Sequence, residues 1–319
     1  EMTQKTNLNI SPYYDDFDKD DQFYKVLFKP GFPVQARELT TLQSILQNQL
    51  ESFGTHMFKD GSMVIPGNIA YDPDYYSIKI EREFLGVPVS LYLDQLKGKK
   101  LTSNITGVSV VIDDYLYPED NSQIDTLTIF VKYINSGPDN VDATMNDGES
   151  LITDEAFVYG NTPVSAGESV LKLIDDEACF VGSSVSLAAG VYFIRGTFVE
   201  VAADKIVLNP YDNDPSYRVG LNINEQLLTA KQDESLYDNA RGFSNFAAPG
   251  ADRLKIETTL AKKELSDVND TNFLELIRID DGEIRFTADK SQYNIIRDYF
   301  AKRTYEESGN YSLEEFEID

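Results

Sequence analysis

The sequence predicts a mainly β protein of α+β character: an N-terminal arm and one amphipathic helix, then successive antiparallel β domains, then a short C-terminal helix. Three observations carry that expectation. Period-two alternation recurs in runs such as "YYSIKIERE", "TLTIFVKYIN" and "LKIETTLAKKEL". Asp-Gly pairs stand at 60–61 and 281–282, where a tight turn needs residues that tolerate positive φ. The aromatic residues are 19 Tyr and 18 Phe with no Trp, a composition that suits strands.

Residues 1–66 read as an arm and an assembly helix. The arm, "SPYYDDFDKDDQFYKVLFKPGFP", has little periodicity, and its Tyr13, Tyr14, Phe17, Phe23, Tyr24 and Phe28 need a cover. Over 34–53 the apolar positions Leu39, Leu42, Ile45, Leu46, Leu50 and Phe53 recur at spacings of three and four. Pro33 stands near the start of that helix and Gly54 just past its expected end. Asp60-Gly61 then reads as a hairpin turn.

A first β domain is expected over 67–135, with "VPVSLYLDQL" and "NITGVSVVIDDYLY" among its strands. Residues 136–215 form a second β region that opens with the loop "SGPDNVDATMNDGES". Within it, Gly190 and Ala202-Ala203-Asp204 read as turns between three strands. Residues 216–319 form a third region. "FLELIRIDDGEIRF" is its clearest hairpin, and Ile295, Ile296, Tyr299, Phe300 and Arg303 fall at helical spacing. The acidic, uncapped close "EESGNYSLEEFEID" suits a chain that continues beyond Asp319.

Charge narrows the function classes. Against 28 basic residues stand 54 acidic ones, a net charge of −26, and no Lys/Arg-rich run could neutralise phosphates. Nucleic acid is not expected as a partner. The acidity favours solubility and opposes premature self-association. Cys179 is the single cysteine, which excludes an internal disulfide and a cysteine zinc site and fits synthesis in a reducing cytoplasm. No apolar run reaches the roughly 20 residues that span a bilayer, and "EMTQKTNLNIS" lacks a signal peptide's apolar centre, so no membrane insertion is expected.

No catalytic pattern emerges. Asp16, Asp18 and Asp20 are spaced like the first ligands of an EF-hand loop, yet Asp21 stands where Gly is needed and Leu27 where the bidentate Glu belongs. A solvated acidic turn is the expectation there, as for "YDNDP" at 211–215. His56 is the single histidine, placed where it can cap a helix end, and no G-x-S-x-G run supplies a nucleophile. Cys179 sits in the apolar run "EACFVG" and reads as a buried small hydrophobe. "LKGKKLTS" lacks the spacing of a phosphate loop. A glycosidase would need two carboxylates, but with 54 available their presence carries no information. No enzyme, cofactor or metal is expected.

The neutral helix is the informative feature. Leu39, Leu42, Leu46, Gln49 and Phe53 form a short heptad-like seam, widened by Ile45 and Leu50. In so acidic a chain, a polar face of Gln, Asn, Ser and Thr favours packing on another protein surface, with Gln43, Gln47, Asn48 and Gln49 bonding across it. Tyr13, Tyr14, Phe17 and Phe23 would anchor the arm. Burial of the helix on its own β domain is the competing reading.

The stretch "PYYDDFDKDDQFYKVLFKPGFPVQARELTTLQSILQNQLESFGTHMFKDGSMVIPG", with "GVYFIRGTFVEV", "NARGFSNFAAPGADRLKIETTL" and "AKRTYEESGNYSLEEFEI", resembles a family of tailed-phage virion structural proteins grouped as DUF4815. The resemblance spans nearly the whole chain. It implies a virion protein of the tail, in the baseplate or at the tail-fibre attachment point, made in the host cytoplasm and working through assembly with other virion proteins. A homo-oligomer, with a trimer favoured, is expected. The alternative is a receptor-binding or polysaccharide-degrading tail spike module. The family brings no catalytic motif, so no catalytic residue is carried over.

Overall fold

The computed structural model describes residues 4–138, 143–240, 242–288 and 294–309. The acidic close from 310 onward, and any continuation past it, lie outside them. The chain is mainly β.

Helix α1 (Ala36–Met57) opens where the Gln35 backbone N–H donates to the Glu38 carboxylate at 2.8 Å. Gly54 is not its stop signal, as the sequence suggested, because the helix continues to Met57. The reason for glycine there is steric: a Cβ at 54 would stand 2.6 Å from the Phe193 ring. His56 accordingly lies inside the last turn, its Nδ1 2.7 Å from the Ser52 carbonyl.

The Asp60-Gly61 pair does not close a hairpin. It turns the chain from α1 into β1 (Ser62–Ile65), whose partner is far downstream. Next come β2 (Ile69–Lys79), the short β3 (Glu83–Phe84) and β4 (Val87–Pro88), and the single-turn helix α2 (Leu93–Leu96). "VPVSLYLDQL" was expected as a strand, but Val89, Tyr92, Leu93 and Leu96 follow the helical spacing of three and four and all point into the core.

Then follow β5 (Lys100–Ser103), β6 (Ser109–Leu116), β7 (Thr128–Asn135), β8 (Ser150–Thr153), β9 (Phe157–Tyr159), β10 (Thr162–Val164) and β11 (Ser169–Lys172). The run expected as three strands is four: β12 (Cys179–Leu187), β13 (Gly190–Ile194), β14 (Thr197–Val201) and β15 (Asp204–Asn209). Gly190 opens β13, and the turn missed in the sequence is Arg195-Gly196, with φ of 50° and 74°.

The last region holds β16 (Tyr217–Leu228), β17 (Tyr237–Asp238), β18 (Asn245–Pro249), β19 (Arg253–Glu264), β20 (Phe273–Asp280), β21 (Glu283–Thr287) and α3 (Asn294–Ser308). The β20–β21 hairpin turns at Asp281-Gly282, both at positive φ, as the dipeptide predicts. In α3, Ile296 is half-buried while Tyr299, Phe300 and Arg303 are exposed. The side chain of Ile295 lies outside the description.

An eight-stranded antiparallel sheet runs β11-β8-β5-β6-β7-β2-β12-β15. It takes strands from both sides of the boundary placed at 135/136. Its core gathers Ile78, Leu93, Leu101, Ile112, Ile129 and Leu151. A three-stranded sheet, β1-β13-β14, and a four-stranded one, β19-β16-β20-β21, share a second core around Met63, Tyr192, Val219, Leu221, Leu276 and Ile279. Helix α1 packs on the three-stranded sheet.

Candidate functional site

Two seams run along α1, each with the spacing 3-4-3-4. Ser44, Gln47, Glu51, Gly54 and Phe58 follow one seam, and it faces the chain's own body. Gln47 Nε2 donates to the Gly196 carbonyl at 2.9 Å and to Thr197 Oγ1 at 3.2 Å. The Glu51 side chain lies against Gly196, and the Phe58 ring packs 5.9 Å from the rings of Phe193 and Phe198. Up to Gly54 the inner seam is thus small or polar, and Phe58 closes it with an aromatic contact. Gln47 was expected to bond across an interface; it bonds instead within its own chain, because Gly196 leaves an uncovered carbonyl beside it.

Leu39, Leu42, Leu46, Gln49 and Phe53 follow the other seam, and it points outward. Leu46 is 58% exposed and Phe53 66%, with Leu39, Gln49 and Leu50 also exposed and Leu42 half-buried. Ile45, read as part of the same face, is buried at 4%. A helix that lays its polar side on the protein and its leucines in water inverts the usual arrangement.

The arm divides into two parts. Its first part is tied down. Asp15 is buried and accepts from the Ser44 and Thr41 hydroxyls, while Asp16 pairs with Arg37 at 3.0 Å. Asp18 accepts from the Asp20 backbone N–H, so the acidic cluster is divided among separate structural roles. Tyr13 donates its hydroxyl to Asp252 at 2.6 Å, which gives the turn "AAPGADR" a partner. The Arg253 guanidinium donates to the carbonyls of Ala251 and Asp252. Tyr14 is exposed and Phe17 half-buried.

Beyond Asp21 the arm projects. Phe23 is 68% exposed, and Tyr24, Leu27, Phe28, Phe32 and Val34 are exposed as well. Apart from a Phe32 N–H to Lys29 carbonyl bond, the backbone from 23 to 34 makes no hydrogen bond among the described residues.

Between α1 and the two smaller sheets lies a cleft of about 550 Å³. Its walls are Gln43, Gln47 and Glu51 of α1, residues 197–200 of β14, and Leu254 and Ile256 of β19. At its base the Arg195 guanidinium meets Glu225 at 2.6 Å and Asn272 at 2.7 Å. Glu225 also accepts from the backbone N–H groups of Thr6 and Lys5, at 2.8 and 3.3 Å. Burial alone would raise the Glu225 carboxyl, but these hydrogen bonds outweigh it and hold the group below its ordinary range. Neither Arg195 nor Glu225 stood out in the sequence; the Arg-Gly break in the alternation of "GVYFIRGTFVEV" was the available signal.

Cys179 starts β12 half-buried, and desolvation pushes its thiol up to about 11, which leaves it unreactive. Among the described residues no group of three or more His, Cys, Asp or Glu side chains is placed to hold a metal ion. No described helix is long and apolar enough to cross a membrane.

A family described as "Domain of unknown function (DUF4815)" matches residues 11–93 and 123–318. No curated protein and no solved structure matches the chain.

Proposed function

The chain belongs to the DUF4815 family, and from that premise we propose that it is a structural component of a bacteriophage virion, sited in the tail baseplate or at the tail-fibre attachment point. It acts by protein–protein assembly rather than by catalysis, through the outward seam of α1 and the projecting arm. The observation that carries this reading is the inverted helix. An exposed row of Leu39, Leu46, Leu50 and Phe53 costs solubility and is retained where a partner covers it. The sequence resemblance to tail proteins supports the setting. The 3-4-3-4 spacing of the seam supports a partner helix, and a three-fold homo-oligomer is the favoured arrangement.

The test is Leu42→Asp with Leu46→Asp. Leu46 is exposed in the single chain, so its replacement shifts unfolding by no more than about 0.5 kcal/mol; Leu42 is half-buried, so Leu46→Asp alone is the control for folding. Light scattering should report an oligomer for the parent chain and a monomer for the variant, and the variant should fail to enter particles. Full incorporation of the variant would overturn the assignment. Deleting residues 1–54 would be a poorer test, because Gln47 and Gly54 pack on the chain's own sheet.

A further inference from the structure

We infer that the projecting arm, residues 22–34, is donated to a second copy of this chain and adds as a strand to the free edge of its β14. The inference rests on the assembly reading above and names the surface and the partner.

Charge points to the partner. "QFYKVLFKPGFPV" carries Lys25 and Lys29 and no acid, in a chain of net charge −26. Among the described residues neither lysine forms an ion pair. A basic, apolar, extended segment fits an acidic surface, and another copy supplies one.

Geometry points to the surface. β14 is an edge of its sheet, and four successive residues, 197–200, line the cleft, so the strand's edge and not a single face fronts it. Backbone groups along such an edge are ready to pair with an added strand. The arm's own backbone is unpaired over 23–31 apart from the Lys29 carbonyl, and can match them.

Register supports the pairing. In a strand, Tyr24, Val26 and Phe28 share one side and Lys25, Leu27 and Lys29 the other. On β14, Phe198 and Glu200 are exposed on one side, while Val199 and Val201 turn inward. With Leu27 opposite Phe198, the residue opposite Glu200 is Lys25 or Lys29, according to strand direction. Both are lysine, so either direction neutralises Glu200. Because arm and cleft are different patches, the contact is head-to-tail and closes into a ring when the rotation allows.

Disulfide trapping tests this in a Cys179→Ser background. Leu27→Cys and Phe198→Cys are made as separate single-cysteine chains, mixed in equal amounts and oxidised; Leu27 is exposed, whereas the Phe198 ring packs on Phe58 and Phe193, so thermal unfolding first checks that the Phe198→Cys chain is folded. A heterodimer of one chain of each kind is expected. Glu200→Lys should slow its formation about tenfold at low salt, and Lys25→Glu with Lys29→Glu in the partner should restore it. Absence of heterodimer, or an intramolecular disulfide when both cysteines stand in one chain, overturns the inference. Light scattering on the same samples separates the two failures: an oligomer without heterodimer sinks arm donation alone, and a monomer sinks the homo-oligomer with it.

Discussion

The guanidinium of Arg195 lies 2.6 Å from the Glu225 carboxylate, with the two side chains 6% and 4% exposed. The pair joins the β13–β14 turn to β16, and Glu225 passes the link on to the N-terminal segment at Thr6. Removing one member strands the other charge out of water. Arg195→Met is expected to cost about 3–5 kcal/mol in chemical denaturation. Adding Glu225→Gln should recover most of that loss, since no uncompensated charge remains and the amide oxygen still accepts from Thr6. Equal loss in the single and double variants would mean that packing of the Arg195 stem, not charge, is what matters. The acid side follows from the depressed Glu225 carboxyl: its stabilisation is complete above the ordinary carboxylate range and is lost as pH falls through the folded value.

Gly54 sets two effects against each other. Alanine in mid-helix gains about 1 kcal/mol in propensity over glycine. Here the added Cβ would meet the Phe193 ring at 2.6 Å, and that ring is 1% exposed, packed with Phe58 and Phe198. Forcing it aside costs about 1–3 kcal/mol, so Gly54→Ala should be net destabilising. Thermal unfolding decides the sign. Phe193→Leu in the Gly54→Ala background should cost less than Phe193→Leu alone, because the smaller side chain makes room for the new methyl.

These two sites mark where sequence reading stopped. Strand β19 was legible from its period-two alternation, and β7 from a short β-branched and aromatic run, buried on both faces at Thr128–Val131. The α1 helix was legible too, but not what its polar side touches: Gln47 was expected at an interface, and only the close approach of Gly54 to Phe193 and of Gln47 to Gly196 reveals that the polar seam packs on the chain's own sheet. The β13–β14 turn was hidden because Arg195 is a non-glycine residue in the left-handed region, and turn statistics look for Gly, Asn or Asp. The long-range pairs Asp252–Tyr13 and Arg195–Glu225 join segments 239 and 30 residues apart, which no local pattern encodes. Outward exposure of Leu39, Leu46 and Phe53 was an expectation from missing charge and became a geometric fact only with the fold.

Lys262 gives a prediction at alkaline pH. Its ammonium donates to Gln123 Oε1 at 2.6 Å and to the carbonyls of Leu208 and Val207 at 2.5 and 3.1 Å, tying β19 to β15 and to the loop before β7. Desolvation nevertheless pushes it down from 10.5 to about 8. Between pH 8 and 10.5 the unfolded chain therefore holds the proton that the folded chain has released, so the Lys262 contribution to stability rises with pH across that window. Tyrosines raised by burial, Tyr92 and Tyr211 among them, act in the opposite direction above pH 10. The clean readout is thus the difference between parent and Lys262→Met in urea midpoints across the window. The parent should gain on the variant as pH rises, and parallel curves would mean that Lys262 titrates as in water.

Tyr192 offers the opposite experiment, a substitution expected to stabilise. Its side chain is 0% exposed in the core that joins the two smaller sheets, and among the described residues its hydroxyl has no hydrogen-bond partner. A hydroxyl that gives up water and gains nothing in return costs about 1–3 kcal/mol. Phenylalanine keeps the ring and its contacts with that core and removes the unsatisfied group. The space it leaves is the size of one oxygen, so the cavity term stays small beside the gain. Tyr192→Phe should raise unfolding stability by about 1 kcal/mol or more, read as a shift in denaturant midpoint with an unchanged slope. Tyr75 is the control: it is equally buried, but its hydroxyl donates to Asp113 at 2.7 Å. Tyr75→Phe should therefore destabilise by about 0.5–1.5 kcal/mol, the net worth of the lost hydrogen bond, since Asp113 keeps Lys205 and Lys132 as partners. A loss of stability in both variants would show that the Tyr192 hydroxyl is satisfied in solution, by an ordered water within the core.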